Sequence, residues 1–150
     1  MYVGHVGIIR AARRPARINV ISSGRISGSI KCDRPIAPID ITIGHYTARG
    51  ILAMFDTGST DTVFCLPDAR KKIDADPFDR SFIRGFSVDL DETFMYDASL
   101  KLPDNVSLDV GLINVYDGSF DLADIIIGMD IIRNGVLTVD GPKNSFTFEI

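Results

Sequence analysis

Cysteine and histidine are scarce in this chain. Cys32 and Cys65 are the only cysteines, with no CxxC spacing and no histidine pair beside them. That argues against zinc sites built on such spacings and against the disulfide-dense scaffolds of small secreted domains. One disulfide or two reduced thiols remain, and two reduced thiols are expected. His5 and His45 stand alone, each read as a solvated or core histidine, so no Ser/His/Asp arrangement can be argued. Long apolar runs are missing as well. Nothing approaches the roughly 18 residues that span a bilayer as a helix, and no membrane partner is expected. There is no internal repeat, and "GSTDT" lacks the lysine of a phosphate loop. No cofactor and no metal are expected.

What is present reads as an ordinary globular chain. Its 150 residues are 45% hydrophobic and 24% charged, a length and balance that suit one domain with a real core. Charge is uneven: residues 1–35 hold seven Lys/Arg against Asp33, whereas residues 36–150 hold nine bases against nineteen acids. A basic arm of this kind suits nucleic acid or an anionic surface. A solvated tail is the plainer expectation, so nucleic acid is left open and not expected. The Arg-rich start resembles a transit peptide yet lacks the apolar core of a secretory signal, and a cytoplasmic location is expected.

The Pro-flanked "DRPIAP" (Asp33 to Pro38) marks a boundary between a basic extension, residues 1–35, and a domain, residues 36–150. Within the extension, "RINVISSGRISGSI" holds short β-prone pieces that suit added edge strands. Beyond it the signals are strands. "IDITIG" alternates Ile39, Ile41 and Ile43 with Asp40 and Thr42, the period of a half-buried strand. "HYTARG" reads as a turn and "ILAMF" as a strand buried on both faces. "DARKKIDADPFDR" is a short helix or long loop with a solvated face. "SFIRGFSVDL" reads as two β segments around Arg84-Gly85. "TFMYDASLKL", "VSLDVGLINVY", "ADIIIGMDII", "GVLTVD" and "SFTFEI" follow, with "PDN" and "GPKN" as turns. Many short strands between regular turns predict an all-β sandwich or barrel.

One triplet, Asp56-Thr57-Gly58, carries chemistry. Alone it is a turn, with Gly supplying a positive φ. Here it ends the apolar run Ile51–Phe55, and a lone ionised carboxylate entering a core costs several kcal/mol unless it is paired or shares a proton. A second apolar run, "DIIIG", also ends in Gly. Asp56, Asp61 and Asp130 show no hard-metal ligand spacing.

These pieces resemble the retropepsin-like aspartic proteases and match them in order. "PIDITIGHYTARGILAMFDTGSTDTVF" is similar to the opening hairpin and active-site loop, and "SFIRGFSVDL" sits where the family keeps its flap. "ADIIIGMDIIRNGVLTVD" resembles the late Gly-ended segment with the short helix after it, and "SFTFEI" the closing strand. The match covers about residues 36–150. It implies an all-β acid-protease barrel or sandwich with one short helix near the C-terminus, and an aspartic endopeptidase acting on extended peptide or protein substrates. One triplet per chain implies a homodimer in which two Asp56 carboxylates share a proton, as aspartic proteases do.

By the same resemblance Asp56, Thr57 and Gly58 are catalytic: the carboxylate, a hydroxyl reaching across to the partner loop, and a bare backbone that substrate approaches. Ser59, Asp61, Val63, Ile127 and Gly128 are expected to line substrate, with a core role for Val63 and Ile127 as plausible. Arg84, Gly85 and Phe86 are expected at the flap tip. Familiar viral members carry a paired Asp and Arg where this chain has Thr60 and Met129, so the dimer must be braced differently. The alternative from another class is a peptide-binding or dimerisation module with the same fold and little turnover.

Overall fold

The computed structural model describes residues 7–9, 17–85 and 88–150. In chain order the elements are β1 (Gly7–Ile9), β2 (Ile18–Ser22), β3 (Arg25–Lys31), β4 (Arg34–Ile43), β5 (Tyr46–Phe55), β6 (Val63–Cys65), α1 (Ala69–Lys72), β7 (Asp79–Arg84), β8 (Asp91–Lys101), β9 (Ser107–Tyr116), β10 (Ile125–Ile127), α2 (Met129–Ile132), β11 (Val136–Asp140) and β12 (Ser145–Glu149). The chain is mostly β, with two four-residue helices.

Hydrogen-bonded neighbours run β1-β7-β8-β9-β6-β10-β5-β4-β3-β12-β11, with β2 added on β9. A further pairing joins β8 to β4 through Asp40↔Lys101, Ile41↔Leu100 and Thr42↔Ser99. The pairings β8-β9-β6-β10-β5-β4 therefore close into a ring. Most are antiparallel, but β5–β10 and β6–β9 are parallel, and it is this local crossing that brings two loops together at the site.

Alternation sets the core. Ile39, Ile41 and Ile43 are at most 2% exposed while Asp40 and Thr42 are half-exposed, as the period of two predicts. They join Phe64, Leu100, Ile113, Ile125 and Ile127 in the main cluster, which continues to Phe146 and Phe148 of β12. The Phe55 ring lies 5.2 and 5.3 Å from those two rings, at tilted angles that favour aromatic pairs. A second, smaller cluster holds Ile36, Met54, Val63, Cys65, Ile83, Ala123 and Ile126. Along β6 and β10 successive residues alternate between the two clusters, so this short sheet segment is buried on both faces.

Several local readings change. "YTARG" is not a turn: the two-residue turn is Gly44-His45, with Ile43 opposite Tyr46, and β5 runs unbroken from Tyr46. Ile51 is half-exposed and Leu52 is 39% exposed, so burial on both faces begins only at Ala53. The β7–β8 hairpin is present, but its second strand starts at Asp91, Val88, Asp89 and Leu90 precede it without strand structure, and Ser87 lies outside the described residues. A short helix does form in the "DARKK" stretch, in addition to the one near the C-terminus.

The stretch read as a boundary falls inside β4. Pro35 pairs with Ile30 on β3, one residue before β4 takes up β5 at Ile36; Pro38 pairs with β5 in the gap between the β3 and β8 pairings. Each proline thus sits where one flank of the strand asks for no N–H donor, which lets a strand carry both. β2 lies at an edge, as expected of the extension, but β3 does not. It pairs with β12 and β4 and contributes the fully buried Ile26.

Candidate active site

β5 and β10 run side by side and parallel, with Phe55 opposite Ile127. Each leaves the sheet into a loop at its C-terminal end, Asp56 from one and Gly128 from the other. The Asp56 N–H donates to the Ile127 carbonyl at 3.0 Å, fixing the acid beside the second loop. The two Gly-ended runs legible in the sequence are therefore spatial neighbours. Asp56 is half-buried, since the chain emerges from the core at that residue. Its Oδ1 accepts the Gly58 N–H at 2.8 Å, and its carbonyl accepts the Ser59 N–H at 3.1 Å. The other carboxylate oxygen has no partner among the described residues. Gly58 does not adopt a positive φ, so the turn is not the left-handed one its glycine suggested.

A lattice of short bonds locks the loops together. The Ser59 carbonyl accepts the Met129 N–H at 2.8 Å and the Thr60 carbonyl accepts the Asp130 N–H at 3.2 Å. The fully buried Thr62 hydroxyl accepts the Gly128 N–H at 3.1 Å and donates to Asp130 Oδ1 at 2.8 Å. Asp130 Oδ2 takes the Thr62 N–H at 3.0 Å, and Oδ1 also takes the Ile131 N–H at 2.9 Å. Burial raises the Asp130 carboxyl above its ordinary value, opposed by the bonds from Thr62 and reinforced by the charge of Asp61. At Gly128 an added Cβ would stand 2.5 Å from the Asp61 carbonyl carbon, so glycine is required there by close approach of backbone.

The remaining expected residues are placed unequally. Thr57 is exposed and its hydroxyl has no partner among the described residues. Ser59 is fully buried and gives its hydroxyl to the Asp61 carbonyl at 2.8 Å, so its side chain shapes the loop from within. Asp61 accepts the Thr60 hydroxyl at 3.1 Å. Val63 packs in the second cluster, with Met54, Ile83 and Ile126. Ile127 faces the main core, and it is Ile126 that shares a face with Val63. Arg84 ends β7 and Gly85 follows at φ 135°, both exposed. Phe86 lies outside the described residues. The hairpin's Ile83 packs against the Val63 and Ile126 face, which is how the β7–β8 hairpin meets the β6–β10 segment.

Three residues were not singled out for the roles they have. Thr62 and Asp130 form the latch just described, which joins residues 68 apart and has no local sequence signal. Asp124 clamps the start of β10: its Oδ2 accepts the Leu52 N–H at 2.8 Å, its N–H donates to the Leu52 carbonyl, and its own carbonyl accepts the Cys65 N–H. Burial, helped by the Asp124 charge, pushes the Cys65 thiol up to about 12. Cys65 is buried and free, Cys32 exposed and free. Among the described residues no group of three or more His, Cys, Asp or Glu is placed to hold a metal ion.

Beside Asp56 and Thr57 opens a hollow of about 360 Å³. Ile30, Asp33, Arg34 and Pro35 from the β3–β4 hairpin line it, together with Leu137 and Val139 of β11.

No family model matches the sequence, and no curated protein matches it. Among solved structures the chain is similar to a retropepsin-like aspartic protease from Rickettsia conorii. The likeness has a TM-score of 0.50 at 17% identity and covers 91% of this chain and 95% of that chain. The fold of this chain is retropepsin-like.

Proposed function

We propose that this chain is an aspartic endopeptidase whose active site forms when Asp56 meets Asp56 of a second copy. The observation that carries the reading is the Asp56 carboxylate. It stands at the mouth of a buried parallel strand pair, fixed through its N–H and Oδ1, with its second oxygen unspent. A retropepsin-like fold around that loop supports the same reading.

Two carboxylates held about 3 Å apart share one proton and titrate as a pair. The ionised Asp56 takes a proton from a water held between them, and the water oxygen attacks the carbonyl carbon of the peptide bond. The protonated partner donates to the carbonyl oxygen as it gains charge. Collapse of the tetrahedral intermediate breaks the C–N bond: one hydroxyl proton returns to the carboxylate that is now ionised, and the nitrogen leaves as an amine with the proton held by the other. Thr57, exposed and uncommitted within its own chain, is suited to bond to the opposite loop. The substrate lies extended, adding a strand between the β7–β8 hairpin and the face carrying Val63 and Ile126.

The test is cleavage of a mixed peptide library across about pH 3 to 7, wild type beside Asp56→Asn. Turnover by wild type and none by the variant is expected. Cleavage that persists in the variant, or is absent from wild type at every pH, removes the dyad mechanism.

A further inference from the structure

We propose that the outer edge of β7 is a peptide-docking edge whose resident occupant is the chain's own β1, so that an incoming peptide must displace it. That the displaced peptide is a substrate rests on the aspartic-protease reading; the occupancy itself rests on strand pairing.

A peptide that adds a strand to a hairpin needs an edge to pair with. β8 lies between β7 and β9, so the hairpin offers the outer edge of β7. That edge is taken. β1 runs antiparallel to it, with Gly7 opposite Arg84, Ile8 opposite Ile83 and Ile9 opposite Phe82. The paired stretch stops one residue short of Gly85, where the hairpin leaves the strand at φ 135°. Ile83, at its centre, is also the hairpin residue that packs with Val63 and Ile126. β1 therefore covers the part of β7 that meets the β6–β10 segment, where an extended peptide would lie.

A strand of three residues holds weakly, and two things keep it in place. The first is tethering. β1 belongs to the same chain as β2, which is fixed on β9 from Ile18 to Ser22, so it meets the edge at an effective concentration on the order of millimolar. The second is charge. Residues 1–35 carry seven Lys/Arg against one acid, while residues 36–150 carry nine bases against nineteen acids, and the two parts attract. A free peptide then binds only the fraction of chains whose edge is open, and its apparent affinity falls by that fraction.

The experiment uses the full chain carrying Asp56→Asn, which keeps the probe intact, and a fluorescein-labelled peptide of residues 1–16 read by anisotropy. In an antiparallel ladder alternate residues turn their N–H to the neighbour, so Ile8→Pro with Ile9→Pro removes the donor at whichever position bonds β7. This double variant is expected to bind the probe at least about tenfold more tightly than its parent. Circular dichroism checks that it is folded. Ile9→Cys with Phe82→Cys, in a Cys32→Ser background, tests the same point without proline, since directly opposite residues stand within disulfide reach. Its oxidised form is expected to carry the bond within one chain and to bind the probe at least about tenfold more weakly than its reduced form. If the prolines unfold the chain, the cysteine pair decides alone. Folded proline variants that bind no better than the parent overturn the occupancy. So do an oxidised pair that binds as well as the reduced one, a disulfide found only between chains, and a probe that binds no form. With Asp56 restored, the proline variant is expected to show a lower KM for library peptides at unchanged kcat. Tighter probe binding without cleavage at any pH keeps the docking edge and removes the peptidase reading.

Discussion

Thr62 ties the Asp56 loop to the Gly128 loop, one buried hydroxyl and the Asp130 carboxylate joining them within a single chain. Thr62→Val keeps the shape but leaves the Gly128 N–H buried without an acceptor. It is expected to cost about 2–3 kcal/mol in urea unfolding, whereas Thr62→Ser, which keeps the hydroxyl, costs about 1 or less. Asp130 adds a pH signature. Unfolded, it ionises near its ordinary 3.8; folded, burial holds its proton to higher pH. Protonation of this group therefore favours the folded state, a contribution fully present below the ordinary value and lost as pH rises through the folded one. Melting temperatures of wild type relative to Asp130→Asn should fall from acid toward neutral pH; a difference that stays flat or rises refutes the assignment. Cys65 gives a simpler readout. Buried, with its thiol pushed up to about 12, it should resist alkylation at neutral pH while Cys32 reacts, giving one modified thiol per folded chain and two on unfolding.

At the scale of elements, the parallel β5–β10 pair sets the site, and its requirement falls on Gly128. A Cβ there meets Asp61 backbone at 2.5 Å, and no side chain can swing aside to relieve it. Gly128→Ala is expected to cost about 3 kcal/mol or to separate the two loops, with loss of peptide cleavage, while Gly141→Ala, with nothing within 4 Å, stays near neutral in the same thermal melts. This pair was readable because each strand ends an apolar run at Gly or Asp-Thr-Gly, and because "IDITIG" shows its alternation openly. Other features were not readable, for physical reasons. In "DIIIG" three consecutive isoleucines leave the phase of alternation unset, so sequence holds Ile127 equally as core and as substrate wall, and it is Ile126 that shares the face of Val63. That most of "DRPIAP" forms strand was hidden because proline's tolerance depends on whether a neighbouring strand needs an N–H, which sequence does not display. The Thr62–Asp130 latch spans 68 residues, and no local spacing points to it.

For the molecule as a whole, the proposed mechanism requires that each chain encode half a site. Asp56 is half-buried in one chain with one carboxylate oxygen unpartnered among the described residues, and it lines a hollow together with Leu137 and Val139 of β11. If two copies contribute one carboxylate each, a dimer of wild type with Asp56→Asn contains a single ionisable group and cannot hold the shared proton. Equal amounts of the two chains, allowed to exchange subunits by dilution and reconcentration, distribute at random among three dimers. Only wild-type pairs retain both acids, so activity should settle at about one quarter of that of the same total concentration of wild type. A site complete within one chain gives about one half under the same protocol, because each wild-type copy then works regardless of its neighbour. A half-level plateau would place a complete catalytic site inside each chain and remove the need for the second copy.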